Sequence, residues 1–175
     1  HRLLPFNIYF YNNGLVPQCL NGKLIEKNNG IQFYNRIKSF LFKRYTPQEI
    51  ALKKSLKKEK IEIILAEYGT TGAESLKIIK DLEIPLIVHF HGFDASMHQV
   101  VKDYLKRYQL LFEYASYVIA VSQKMKTDLL QMGCPQEKLI LNTYGPNPKF
   151  LDILPNFSKK QFVAVGRFVD KKAPY

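Results

Sequence analysis

Short apolar runs, separated by segments of helical periodicity, restrict this chain more than any other feature. "IEIILAEYG" (61–69), "PLIVHF" (85–90), "YVIAVS" (117–122), "KLILNTYG" (138–145) and "FVAVGR" (162–167) are each too short for a helix. They are apolar at successive positions, as strands buried on both faces are. Between the first and second runs, Leu76, Ile78, Ile79 and Leu82 recur at helical intervals behind Thr71 and Glu74, which have capping-box spacing. A longer helical pattern over 97–115 carries Val101, Tyr104, Leu105, Tyr108, Leu111 and Phe112. A third, "QKMKTDLLQMG", has Ser122 as its cap and Gly133 as its close. Strands alternating with helices predict right-handed βαβ units, hence an α/β domain with a Rossmann-like parallel sheet and helices on both faces.

Upstream, "FNIYFY" (6–11) reads as a strand and "NNGLVP" as a tight turn leaving it. Thr46-Pro47-Gln48-Glu49 is a capping box with proline at the first helical position. The helix it opens runs through "IALKKSLKKEK", with Leu52 and Leu56 on its apolar side. Pro146, Pro148 and Pro155 mark 146–160 as a linker, which divides the chain into 1–155 and 156–175. At 175 residues and 46% hydrophobic, the chain has enough material for one ordinary domain with a core. Cys19 and Cys134 form no CxxC and read as reduced thiols of a cytoplasmic protein. No apolar stretch is long enough to span a bilayer, and the first residues lack the pattern of a signal peptide.

The net charge of +11 and pI near 9.6 call for anionic partners: nucleic acid, anionic lipid or phosphorylated small molecules. The cations concentrate at Arg36, Lys38, Lys43, Arg44, Lys53, Lys54, Lys57, Lys58 and Lys60, and again at Lys159, Lys160, Arg167, Lys171 and Lys172. A lysine-rich helix face reads first as solvated surface. Its second reading is peripheral contact of 53–60 with the inner face of a membrane, near lipid-linked substrates. No aromatic residues interleave with those lysines, and no nucleic-acid motif is present, so no nucleic-acid partner is expected.

In open parallel sheets, ligands bind beyond the carboxyl ends of the strands. Here those ends carry Glu67-Tyr68-Gly69-Thr70, His89 to Asp94, Ser122, and Asn142 to Gly145. Neither a GxGxxG fingerprint nor a P-loop follows any of them. His89 and His91 find no cysteine or carboxylate set in the local sequence to complete a metal site, so no metal is expected. Gly92 after His91 lets backbone approach a ligand closely. His91 therefore reads as functional, His89 as structural, and Asp94 as a cap for the helix that follows.

"HFHGFDAS", "YVIAVSQKMKTDLLQMGCPQEKLILNTYGPNPKF" and "FVAVGRFVDKKAPY" resemble the large retaining family of nucleotide-sugar glycosyltransferases with the GT-B fold, of the group 1 or family 4 type. "LPFNIYFYNNGLVP" is similar to that family's glycine-bearing loop near the amino terminus. The resemblance implies two Rossmann-like domains facing a cleft, the first binding the acceptor and the second the nucleotide-sugar. On that basis 1–155 is an incomplete acceptor domain whose first strand would precede His1. Residues 156–175 would be the linker and first strand of the donor domain, inactive without the remainder.

The resemblance also implies roles for particular residues. Arg167 and Lys172 are implied to grip the donor diphosphate, with Gly14 and Gly166 near the donor. Tyr68, Thr70, His91 and Asp94, from their place at the strand ends, are expected to bind the acceptor. His91 matches the family histidine near the anomeric carbon and is assigned sugar positioning and transition-state polarity, not nucleophilic attack. Asn13 stands where the family has the first glycine of its pair. The implied reaction is metal-independent transfer of a hexose, with retention, to a glycan or polyprenyl-linked acceptor in bacterial surface polysaccharide synthesis. The main rival is a Rossmann-like module that binds a ligand without turning it over; a sugar epimerase of related architecture is weaker, because the Gly-Arg and Lys-Lys spacing argues for transfer.

Overall fold

A computed structural model describes residues 7–11, 17–25, 45–154 and 158. The expected strand at 162–167, and with it Gly166, Arg167 and Lys172, lies outside the described residues, as do Gly14 and the cations Arg36, Lys38, Lys43 and Arg44. The chain divides into two compact units between Thr143 and Tyr144, at the head of the proline-bearing segment.

The first unit is built on four parallel strands in the order of the sequence: β4 (Ile64–Glu67), β5 (Leu86–His89), β6 (Tyr117–Ala120) and β7 (Leu139–Leu141). Helix α2 (Gly69–Asp81) joins β4 to β5. The short α3 (Phe93–Ser96) and long α4 (His98–Tyr114) join β5 to β6, and α5 (Gln123–Gln131) joins β6 to β7. Helix α1 (Pro47–Lys58) precedes them and packs on α2. The α/β architecture is the one expected.

A monotonic strand order with crossovers of one hand puts every crossover helix on the same face of the sheet. Burial follows that rule. Ala66, Leu86, Val88, Val118, Ala120 and Leu139 face the helices and join Ile78, Ile79, Leu111, Phe112 and Leu129 in one core. Each large apolar side chain buried there contributes roughly 1.5–3 kcal/mol. The alternate strand positions point the other way and include Leu65 at 53%, Tyr117 at 48% and Ile140 at 42% exposure. The expectation of helices on both faces is thus met on one face among the described residues.

The segment expected as a strand at 6–11 forms β1 (Tyr9–Phe10), which pairs antiparallel with β2 (Cys19–Leu20); β2 in turn pairs with β3 (Lys23–Leu24). This small sheet is separate from the parallel one. Tyr11 ties it to α1 through a 3.0 Å hydrogen bond between its hydroxyl and that of buried Ser55.

The capping box at Thr46 forms as read: Thr46 Oγ1 accepts from the Glu49 N–H and Glu49 accepts from the Thr46 N–H. Ser122 caps α5 by accepting from Met125 N–H at 3.2 Å. The box expected at Thr71 and Glu74 does not form. Helix α2 begins at Gly69, directly behind the strand, so Thr71 and Glu74 lie inside it, and Glu74 accepts a hydrogen bond from the Tyr104 hydroxyl. In the second unit, Asn147 opens a 3-10 turn over Pro148–Phe150, accepting from Lys149 N–H at 3.0 Å.

Candidate functional site

The cluster at the carboxyl ends of β4 and β5 follows from register. Glu67 and His89 are direct partners across the parallel pair, so their side chains share a face, the one turned away from the helices. His91, two residues beyond His89, returns to that side, and the two imidazole centroids are 4.3 Å apart. One carboxylate oxygen, Glu67 Oε2, meets both rings: His89 Nδ1 at 3.2 Å and His91 Nε2 in a shorter hydrogen bond. An ionised carboxylate only accepts, so the nitrogen facing it on each ring carries the hydrogen, which sets both tautomers.

These three residues bring two imidazole nitrogens and a carboxylate oxygen within 4.8 Å of one another, a donor set chemically able to hold a divalent cation. The sequence around His89 and His91 offers no carboxylate set to complete the pair. Glu67 supplies the carboxylate, from the neighbouring strand. His89, read as structural, is buried yet belongs to the cluster.

The loop that carries His91 is held by Asp94. Gly92 adopts φ 130°, a conformation that side-chain-bearing residues avoid, and this turns the chain sharply behind His91. Asp94 Oδ1 then accepts from the N–H groups of His91 and Gly92, each at 3.0 Å. Its Oδ2 accepts from Gly69 N–H at 2.8 Å, the first residue of α2. One fully buried carboxylate therefore fixes the His91 loop and also caps α2, where negative charge is favoured by the helix dipole. The expected cap role of Asp94 is corrected: it caps α2 rather than the helix after it, and its two oxygens, bonded to the backbone of Gly69, His91 and Gly92, hold the site in place.

Beneath it, the Tyr108 hydroxyl donates to the Asp94 carbonyl at 3.0 Å, and burial, with Asp94 nearby, pushes the Tyr108 phenol well above its usual range. Phe90 fills the space between, edge-on to Tyr108 at 5.3 Å. A Cβ on residue 69 would lie 2.1 Å from the Phe90 ring, so the approach of α2 to β5 requires glycine there.

Tyr68 sits where β4 passes into α2, at φ 80° and ψ 134°. For a bulky residue this is a strained backbone, costing about 1–3 kcal/mol. Its N–H is bonded to His89 O at 2.8 Å, and its ring lies 4.6 Å from His91 and 5.4 Å from Phe93. Thr70 is half-buried in the first turn of α2. Of the expected acceptor residues, then, the structure brings Tyr68 and His91 together, sets Thr70 on the helix start beside them, and buries Asp94 underneath. Glu67 and Phe93, which the strand-end segments contain but to which no role was assigned, join the site.

The lysine-rich helix is less uniform than its sequence. Lys53 turns toward α2, forms an ion pair with Asp81 and lies over the Tyr45 ring. Lys77 of α2 reaches back to Glu49 at 3.1 Å, and Lys58 stands 3.5 Å from Glu59. Lys57 and Lys60 remain exposed, next to Ile61, Leu82 and Ile84 at the amino ends of the strands, opposite the histidine cluster. Among the described residues, no helix is long and apolar enough to cross a membrane. Cys134 is buried, and burial pushes its thiol up to about 11, so it is an inert core thiol.

The sequence profile described as Glycosyltransferase Family 4 matches residues 21–141. Among curated proteins, the chain is similar to the amylovoran biosynthesis glycosyltransferase AmsK of Erwinia amylovora, 28% identical over 63% of this chain and 28% of that protein. It is also similar to the putative colanic acid biosynthesis glycosyltransferase WcaL of Escherichia coli K12, 26% identical over 63% of this chain and 29% of that protein. The match thus spans less than a third of either relative's length. Among solved structures, the UDP-N-acetylglucosamine 2-epimerase of Rickettsia bellii aligns with a TM-score of 0.43 and 15% identity, over 63% of this chain and 34% of that one.

Proposed function

The chain belongs to Glycosyltransferase Family 4, and from that premise we propose that the protein transfers a hexose from a nucleotide-sugar to a glycan or lipid-linked acceptor in surface polysaccharide synthesis. The observation that carries this reading is the His91 loop. At the carboxyl ends of parallel strands, a buried carboxylate clamps the backbone of His91 while Glu67 orients its ring. Such preorganisation is what a group must have if it is to meet charge that develops only in the transition state. Departure of a nucleoside diphosphate leaves positive character at the anomeric carbon, and an oriented imidazole backed by a carboxylate supports it. The two relatives, named for amylovoran and colanic acid biosynthesis, support polysaccharide assembly as the setting.

In this reading Arg167 and Lys172 hold the donor diphosphate, with Gly14 and Gly166 beside it, and the negative charge of the leaving group is met by those two cations. Tyr68 and Thr70 face the acceptor. Transfer proceeds with retention at the anomeric carbon, and no metal is required. The protein works in the cytoplasm, and Lys57 and Lys60 support a peripheral contact with anionic lipid.

The test is release of free nucleotide by the full-length gene product, over a panel of UDP- and GDP-sugars, for wild type and Lys172→Ala. Release from one donor, collapsing in the variant, is expected. Absence of release from every donor, with no donor binding by calorimetry, would leave a ligand-binding module instead.

A further inference from the structure

Three rings converge at the carboxyl end of the sheet: Tyr68 stands between His91 at 4.6 Å and Phe93 at 5.4 Å. Tyr68 and Phe93 are 39% and 40% exposed, large aromatics left open to solvent beside a polar cluster. What sets these two rings apart is their contact with each other and with His91 at the carboxyl ends of the strands, where ligands bind in open parallel sheets. The Tyr68 backbone is held at φ 80° although a glycine would take that conformation without strain, so the ring is kept there against a conformational cost. Its mounting is rigid: the Tyr68 N–H is bonded to β5, and the following residue and the turn before Phe93 are both anchored on Asp94.

The edge of this aromatic surface selects the ligand. Glu67, an acceptor with negative charge, borders it and is 46% exposed at its side chain. Lys124, at the start of α5 on the same end of the sheet, is engaged by Asp128 at 2.7 Å. A phosphate would meet a carboxylate here. A pyranose would lay its C–H face on the Tyr68 ring, meet Phe93, inclined to it at 49°, along one edge, and donate its hydroxyls to Glu67.

We propose that Tyr68 and Phe93 form a stacking platform for the terminal pyranose of the acceptor, with Glu67 accepting hydrogen bonds from that sugar's hydroxyls. This rests on the transferase reading and narrows it: the recognised end of the acceptor is a sugar, not the phosphate of a lipid carrier. The substrate must then be supplied by an earlier glycosyl transfer that placed a sugar on the carrier.

The test uses the full-length protein and reads binding, so it stands apart from turnover. Methyl β-D-glucopyranoside, methyl β-D-galactopyranoside and detergent-dispersed polyprenyl phosphate are the probes, followed by saturation-transfer NMR and titration. Wild type should bind at least one glycoside through its ring C–H protons. Tyr68→Gly, which relaxes the backbone while removing the ring, and Phe93→Ala should each weaken that binding at least about tenfold, with Tyr68→Phe retaining it. Circular dichroism of each variant checks folding, and Thr46→Ala, far from the rings, serves as the control. Glycoside binding unchanged in Tyr68→Gly overturns the proposal, as does absence of glycoside binding in wild type or binding of polyprenyl phosphate that depends on Tyr68. A wild type that binds glycosides through Tyr68 yet releases no nucleotide from any donor would sink the transferase reading and keep the platform.

Discussion

Glu49 and Asp94 both accept hydrogen bonds from backbone N–H groups at the start of a helix, but they do so in opposite ways. Glu49 reaches back three residues to Thr46 within its own turn, lies at the surface, and adds an ion pair to Lys77. Asp94 is fully buried and reaches across 25 residues of sequence to cap α2 at Gly69, while its other oxygen holds His91 and Gly92. The first arrangement starts one helix and straps it to its neighbour. The second joins two βα turns and fixes the ring-bearing loop of the candidate site, so a single side chain links the stability of the sheet's carboxyl end to the geometry of its chemistry.

The largest effect should come from breaking the buried member. Asp94→Ala leaves three backbone N–H groups without their acceptor, that of Gly69 buried and those of His91 and Gly92 partly buried, and a loss of about 3 kcal/mol in urea denaturation is expected, with Asp94→Asn milder because one acceptor remains. Thr46→Ala should cost about 1 kcal/mol and leave the site untouched, which thermal denaturation would measure. Equal losses in Asp94→Ala and Thr46→Ala would erase the contrast.

The smallest effect is in pH. Partial burial pulls the Glu49 carboxyl up, but hydrogen bonds from Thr46 and the Lys77 ammonium outweigh it and hold its pKa below the usual value. A depressed carboxylate contributes stability above its unfolded pKa and loses it as pH falls through the folded value. Wild type should therefore lose more stability than Glu49→Gln between neutral pH and the region below the normal carboxylate range. The difference should be small because the Lys77–Glu49 pair lies at the surface, where solvent screens it.

The same contrast separates what the sequence revealed from what it hid. The Thr46 box, the Ser122 cap, the α4 pattern and the four parallel strands rest on residues close in sequence, where periodicity and spacing are visible. The partnership of Glu67 with His89 and His91 depends on which strand lies beside which, and in what register, and no local pattern encodes that. Thr71 and Glu74 had the right spacing for a cap but the wrong position, because Asp94 supplies from another loop what a local cap would have supplied. Tyr68 at a positive φ carried no signal either, since the chain has a tyrosine where a glycine would have marked the turn. Lys53, counted among surface cations, turned out to be committed to Asp81 on the neighbouring helix.

The most direct measurement of the central claim is acceptor-dependent sugar transfer by the full-length protein, compared across wild type, His91→Ala and Thr46→Ala under conditions where all three are folded. If the Asp94-clamped loop exists to present His91 to the transferred sugar, His91→Ala should lose about a hundredfold or more in kcat while Thr46→Ala stays near wild type. His91→Ala turning over at the wild-type rate would contradict the account and reduce the histidine cluster to structure.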